Sequence, residues 1–133
     1  MIPSPAWDSF LRDGAGTERV VGNLSAYLNG ILMASSRQVR IGQEYAVKAV
    51  EKHRLDVAHF EFLPSAIREG EALRDRERHL TFLHYEASIS RWFQVTVKCC
   101  NEKRHLYVVT FHGLGIDDVR RKRARHPKVW PLT

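Results

Sequence analysis

Residues 91–112 read RWFQVTVKCCNEKRHLYVVTFH, two runs of β-formers around a polar turn, and this stretch constrains the fold more than any other. Residues alternate faces along a strand, so two such runs joined by a short turn predict a hairpin. The run HLTFLHY at 79–85 extends it to an antiparallel meander. If Cys99 lies opposite His105, then Val97 meets Tyr107, Val95 meets Val109 and Phe93 meets Phe111 on one face, which packs on the helices. The other face then carries Gln94, Thr96 and Lys98 beside Val108, Thr110 and His112.

Upstream the period changes. Residues 1–16 contain Pro3, Pro5, Gly14 and Gly16 and read as an extended arm that docks Trp7, Phe10 and Leu11 on the body. Thr17 reads as an N-cap, and Val20, Leu24, Tyr27, Leu28, Ile31 and Leu32 recur at helical spacing, predicting a helix that ends near Ser35 or Ser36. RQVRI follows as an edge strand with Val39 and Ile41 facing inward and Arg40 outward. Gly42 can cap the next helix, QEYAVKAVEKHR, whose apolar face of Ala46, Val47, Ala49 and Val50 puts His53 at its buried edge near the C-terminus. Beyond an aromatic connector, the segment LPSAIREGEALRDRER starts with Pro64 near a helix N-terminus and places Ile67 and Leu73 among many charges, which reads as a short helix or two turns broken at Gly70. The expected class is α+β, with N-terminal helices on a curved antiparallel sheet of about four strands. One domain, 17–115, lies between the arm and a basic C-terminal tail, 116–133.

A chain of 133 residues suits one core. The net charge is +6. Asp117 and Asp118 oppose Arg120, Arg121, Lys122, Arg123, Arg125 and Lys128, so the tail holds +4 of it. Such a balance favours a polyanion through counterion release and long-range field. Cys99 and Cys100 are adjacent, and a bond between neighbours is strained, so no disulfide framework is expected and a reducing compartment is the easier reading. No basic segment leads into an apolar stretch at the start, and 18 apolar residues nowhere run together, which predicts a soluble cytoplasmic protein without membrane contact. The chain has no Gly-rich phosphate loop, GxSxG elbow, CxxC pair or RRM signature, which excludes several common enzyme and RNA-binding classes.

Three constellations carry chemistry. His53 is a proton-transfer group by residue type, or else a half-buried imidazole capping helix carbonyls. Lys98 and Thr110 can neutralise and hydrogen-bond a phosphate, or else belong to the solvated face of a sheet. His79, His84, His105 and His112, with the two cysteines, lack the spacing of metal-ligand pairs, so no metal or cofactor is expected.

The runs VRIGQEYAVKAVEKHR, LPSAIREGEALRD, RWFQVTVK and YVVTF together resemble the phage-associated branch of the barnase, EndoU, colicin and RelE group of small nucleases. There a strand and helix end in a basic–His pair, a Leu-Pro-x-x-Ile segment follows and two strands close with a Val-Thr step. The resemblance spans roughly residues 38–113, and departs where Gly42 stands in place of a Ser or Thr cap and where the long basic extension follows His112. It implies helices on a curved sheet and metal-independent cleavage of RNA. It places the helix-terminal histidine at His53, the basic strand residue at Lys98 and the hydroxyl at Thr110.

Transesterification of RNA needs a base, an acid and cations around the phosphorane. On that reading His53 is base or acid and His112 the second proton-transfer group. Lys98, with Arg40 or Arg91, stabilises phosphate, and Thr110 positions it. Arg120, Arg121, Lys122 and Arg123 grip the backbone of a single-stranded or tRNA-like RNA, or else the tail is a solvated terminal helix. A toxin of this kind implies an acidic antidote protein. The rival readings are a non-catalytic nucleic-acid-binding module and a phage-derived structural or inhibitor protein that lost the site.

Overall fold

The structure is a computed structural model that describes residues 5–132. The first part of the expected arm, including Pro3, lies outside the described residues. The architecture is α+β, built on one mixed sheet of seven strands rather than about four.

The elements run α1 (Pro5–Asp13), β1 (Glu18–Asn23), α2 (Ala26–Leu32), β2 (Gln38–Gly42), α3 (Gln43–Glu51) and a short 3-10 helix, Val57–Phe62. After these come α4 (Leu63–Glu69), β3 (Glu71–Arg74), β4 (His79–Glu86), β5 (Arg91–Cys99), β6 (Leu106–Leu114), α5 (Ile116–Arg125) and β7 (Lys128–Trp130). Strand order is β1-β2-β6-β5-β4-β3-β7. The pairs are antiparallel apart from β2 with β6, which is parallel.

The predicted meander is present as β4, β5 and β6. Its register differs from the expected one by one residue at Val97 and Cys99 and by two residues at Phe93 and Val95. Cys99 pairs with Leu106, Val97 with Val108, Val95 with Phe111 and Phe93 with Gly113. An irregularity between the Thr96 and Val97 pairs leaves Val109 unopposed, as in a β-bulge. The bulge shifts alternation by one residue, so Val108 joins the core while Thr110 and His112 stay on the face of Thr96 and Gln94.

Two other expectations change. The helix expected from Thr17 begins only at Ser25, whose hydroxyl accepts from the Leu28 N–H at 3.2 Å. Residues 18–23 are a strand, because adjacent Val20 and Val21 followed by Gly22 suit a sheet better than a helix. Val20, placed in the helical stripe by spacing, is 48% exposed, while Val21 is buried. Within α2 the buried residues are Leu28 and Leu32, and Leu24 is buried just before the cap. Thr17 donates instead to the Gly14 carbonyl at 2.6 Å, at the end of α1. β2 buries Val39 and Ile41 as expected, yet it is interior, between β1 and β6.

One sheet face packs on α1 to α4 around Ile41, Phe60, Phe82, Phe93 and Leu106. Trp7 of α1 is buried there, stacked on Phe60 at 4.5 Å, so the arm region docks as a helix rather than an extended segment. α5 covers part of the opposite face, where Val119 packs on Leu73 and Leu83. The basic C-terminal stretch is thereby built into the fold as α5 and as β7 paired to β3.

Candidate functional site

The parallel pairing of β2 with β6 ends at Ile41 and Val108, and the chain turns at Gly42 into α3, which packs against the remainder of β6. This return carries His53, two residues past the helix, to His112 of β6. Their ring centroids lie 5.2 Å apart. The main chain of His53 is held by its own N–H, which donates to the Lys48 carbonyl at 3.2 Å.

The two imidazoles differ in surroundings. His53 has a pKa below the ordinary 6.5, first because burial disfavours the charged form, then because His112, Lys48 and Lys52 are cationic neighbours. Nδ1 of His112 is 2.9 Å from the Gly113 carbonyl oxygen. A carbonyl only accepts, so Nδ1 carries a proton and Nε2 is the nitrogen left to exchange one.

Beside His112, a polar groove of about 320 Å³ opens between the sheet and α5, lined among others by Gln94, Asp118, Arg121, Lys122 and Arg125. Asp118 is partly committed, pairing with Arg121 and accepting from the Gly115 N–H. Its carboxyl is accordingly held below the usual carboxylate range, chiefly by Arg121.

The other residues singled out from the sequence are spread more widely. Thr110 lies two residues from His112 on the same face, opposite Thr96. Lys98 pairs with Tyr107 at the far end of the ladder, four residues along β5 from Gln94, roughly 13 Å at the rise of a strand. There it lines a separate cavity of about 390 Å³ with Tyr45, Cys100 and His105. Arg40 pairs with Glu18 at 3.3 Å and donates to Gln38 at 3.2 Å. Arg91 lies over the Phe93 ring at 5.2 Å, near His59, whose pKa is lowered by burial and then by that guanidinium. Arg120 faces Asp117 at 3.6 Å, and Arg123 donates through Nε and Nη2 to the Glu71 carboxylate at 3.0 to 3.2 Å while lying over Trp92. The structure therefore brings His53 beside His112 and places His112 in a groove with Arg121 and Lys122, with Thr110 two residues away, and leaves Lys98, Arg40, Arg91, Arg120 and Arg123 with other partners or elsewhere.

Gln94 and Arg125 enter the groove without having been singled out as site residues. Gln94 was visible as one of an alternating polar trio, but nothing local announced that α5 would fold over it. Among the described residues, no three His, Cys, Asp or Glu side chains are grouped so as to hold a metal ion. No helix among them is long and apolar enough to cross a membrane. No family model, curated protein or solved structure matches this chain.

Proposed function

We propose that this protein is a metal-independent endoribonuclease of the toxin-like kind that its sequence resembles, cleaving RNA by general acid–base transesterification. The reading is carried by one observation: His112 lines a basic groove, and the ring of His53, from a distant part of the chain, stands 5.2 Å from its ring. His53, kept neutral by burial and cationic neighbours, takes the proton of the ribose 2′-hydroxyl. The 2′-oxygen attacks phosphorus, and the 5′-oxygen leaves with a proton from Nε2 of His112. Arg121, Lys122 and Arg125 hold the phosphate backbone, and the products are a 2′,3′-cyclic phosphate and a 5′-hydroxyl.

RNA in the cytoplasm is the natural substrate for such a site, and growth arrest on expression, relieved by an acidic antidote protein over the groove, is its cellular counterpart. The decisive experiment is cleavage of single-stranded RNA in EDTA by the wild type, His53→Ala and His112→Ala. Each substitution should cost about a hundredfold or more in rate while the fold is retained, and cyclic phosphate ends should accumulate with the wild type. Intact RNA retained by a catalytically silent wild type would instead identify a binding module.

A further inference from the structure

Among the described residues, three buried side-chain polar atoms have no hydrogen-bond partner: Asn29 Oδ1, Arg40 Nη1 and Gln94 Oε1. Gln94 is 4% exposed, lies opposite His112 in the ladder and lines the basic groove. A buried acceptor left unmet costs free energy that a donor can recover, so this carbonyl marks a place where a ligand hydrogen bond is gained.

A chain of hydroxyls sets the orientation of that amide. Thr81 Oγ1 donates to Asp75 Oδ2 at 2.9 Å, since a carboxylate only accepts. Its single proton is thus spent, and in its 3.0 Å contact with Thr96 it must accept from the Thr96 hydroxyl. Thr96 in turn has only lone pairs left and accepts from Gln94 Nε2 at 3.2 Å. The amide can therefore not turn over without leaving Thr96 facing a second acceptor. The other oxygen of Asp75 lies 3.9 Å from His126 Nε2, so the relay is anchored beyond β3 at the entry to β7.

We propose that Gln94 Oε1 is a ligand-reading acceptor. The groove binds a ribonucleotide whose phosphate rests on Arg121, Lys122 and Arg125, while an N–H of its base or an O–H of its ribose donates to Gln94. The choice of a ribonucleotide rests on the nuclease reading; the fixed acceptor and the basic groove do not. Thr81, Thr96 and Asp75 are positioning residues that keep the carbonyl available.

The test is calorimetric titration of the full chain with inorganic phosphate and with the four ribonucleoside 3′-monophosphates. Nucleotides should bind about tenfold or more tighter than phosphate. Gln94→Leu should erase that advantage and leave phosphate affinity unchanged. Thr81→Val touches no ligand, yet it frees the Thr96 proton to engage Gln94 Oε1, and should erase the advantage as well. A 2′-deoxynucleotide and an abasic ribose phosphate separate the sources, since only the analogue lacking the true donor falls to the phosphate level. A Gln94→Leu protein that keeps the full nucleotide advantage overturns the proposal. Should that variant not fold, a wild type that binds nucleotides no better than phosphate overturns it equally. Nucleotide binding without RNA cleavage removes the nuclease reading and leaves the subsite standing.

Discussion

At the scale of residues, the chemistry of the histidine pair follows from what surrounds each ring. Because the pKa of His53 is depressed, a mechanism using it as base keeps its rate to lower pH than a free imidazole would allow. The acid limb of the kcat/KM profile should therefore fall below pH 6.5, the ordinary value for histidine. Replacing Lys48 and Lys52 together with Gln removes two of the cations that depress it, and the limb should move toward higher pH. An unmoved limb would assign it to another group. Gly113 belongs to the same neighbourhood. A Cβ there would stand 2.5 Å from Arg91 Nη2, the far end of a flexible side chain. Gly113→Ala should therefore push the guanidinium off Phe93 and cost no more than about 1 kcal/mol, the value of a cation–π contact, as read by urea denaturation.

At the scale of elements, short caps and junctions decide where helices start and stop. Ser25→Ala removes the side-chain acceptor at the start of α2 and should cost about 1 kcal/mol. Gly70 is less forgiving, since a Cβ there would meet the Ala66 carbonyl oxygen at 2.4 Å and the Leu83 carbonyl oxygen at 3.3 Å. Backbone must shift to admit it, so Gly70→Ala should cost about 2 kcal/mol or more, seen as a lowered thermal midpoint. Gly70 also shows how far sequence reading goes: the break at the glycine is local and legible, while β3 beyond it, which carries Leu73, reads with the helical segment because four residues among charges show no sustained period. The central strands and α3 were legible because their periods of two and 3.6 are sustained. β1 was hidden because Val20 and Leu24 happen to lie four apart, which mimics a helical face. The parallel contact of β2 with β6, and the closure of α5 over Gln94, come from residues distant in sequence and leave no local trace. Hence His53 and His112 could be picked as individual candidates, while the groove joining them to Arg125 could not.

At the scale of the whole molecule, the C-terminal basic segment is structural as well as charged. Removing residues 116–133 uncovers Leu73 and Leu83 and strips the partner strand from β3, so the truncated chain should lose cooperative urea unfolding. The charge contribution is better isolated with Lys122→Gln and Arg125→Gln, which should each lower the slope of log RNA affinity against log salt by up to about one. Stability should also respond to acid. His53 and His59 both have depressed pKa values in the fold, so below pH 6.5 the unfolded chain binds protons that the native state refuses. Stability therefore falls as pH drops through that window and levels off below the folded pKa values, and His53→Gln should flatten the fall in part.

The parallel ladder has one more consequence, for biosynthesis. Val39 and Ile41 emerge from the ribosome long before Leu106 and Val108, the partners that flank them. Until β6 is translated, β2 can pair only with β1, its other margin stays open, and the nascent chain carries an adhesive surface for most of its synthesis.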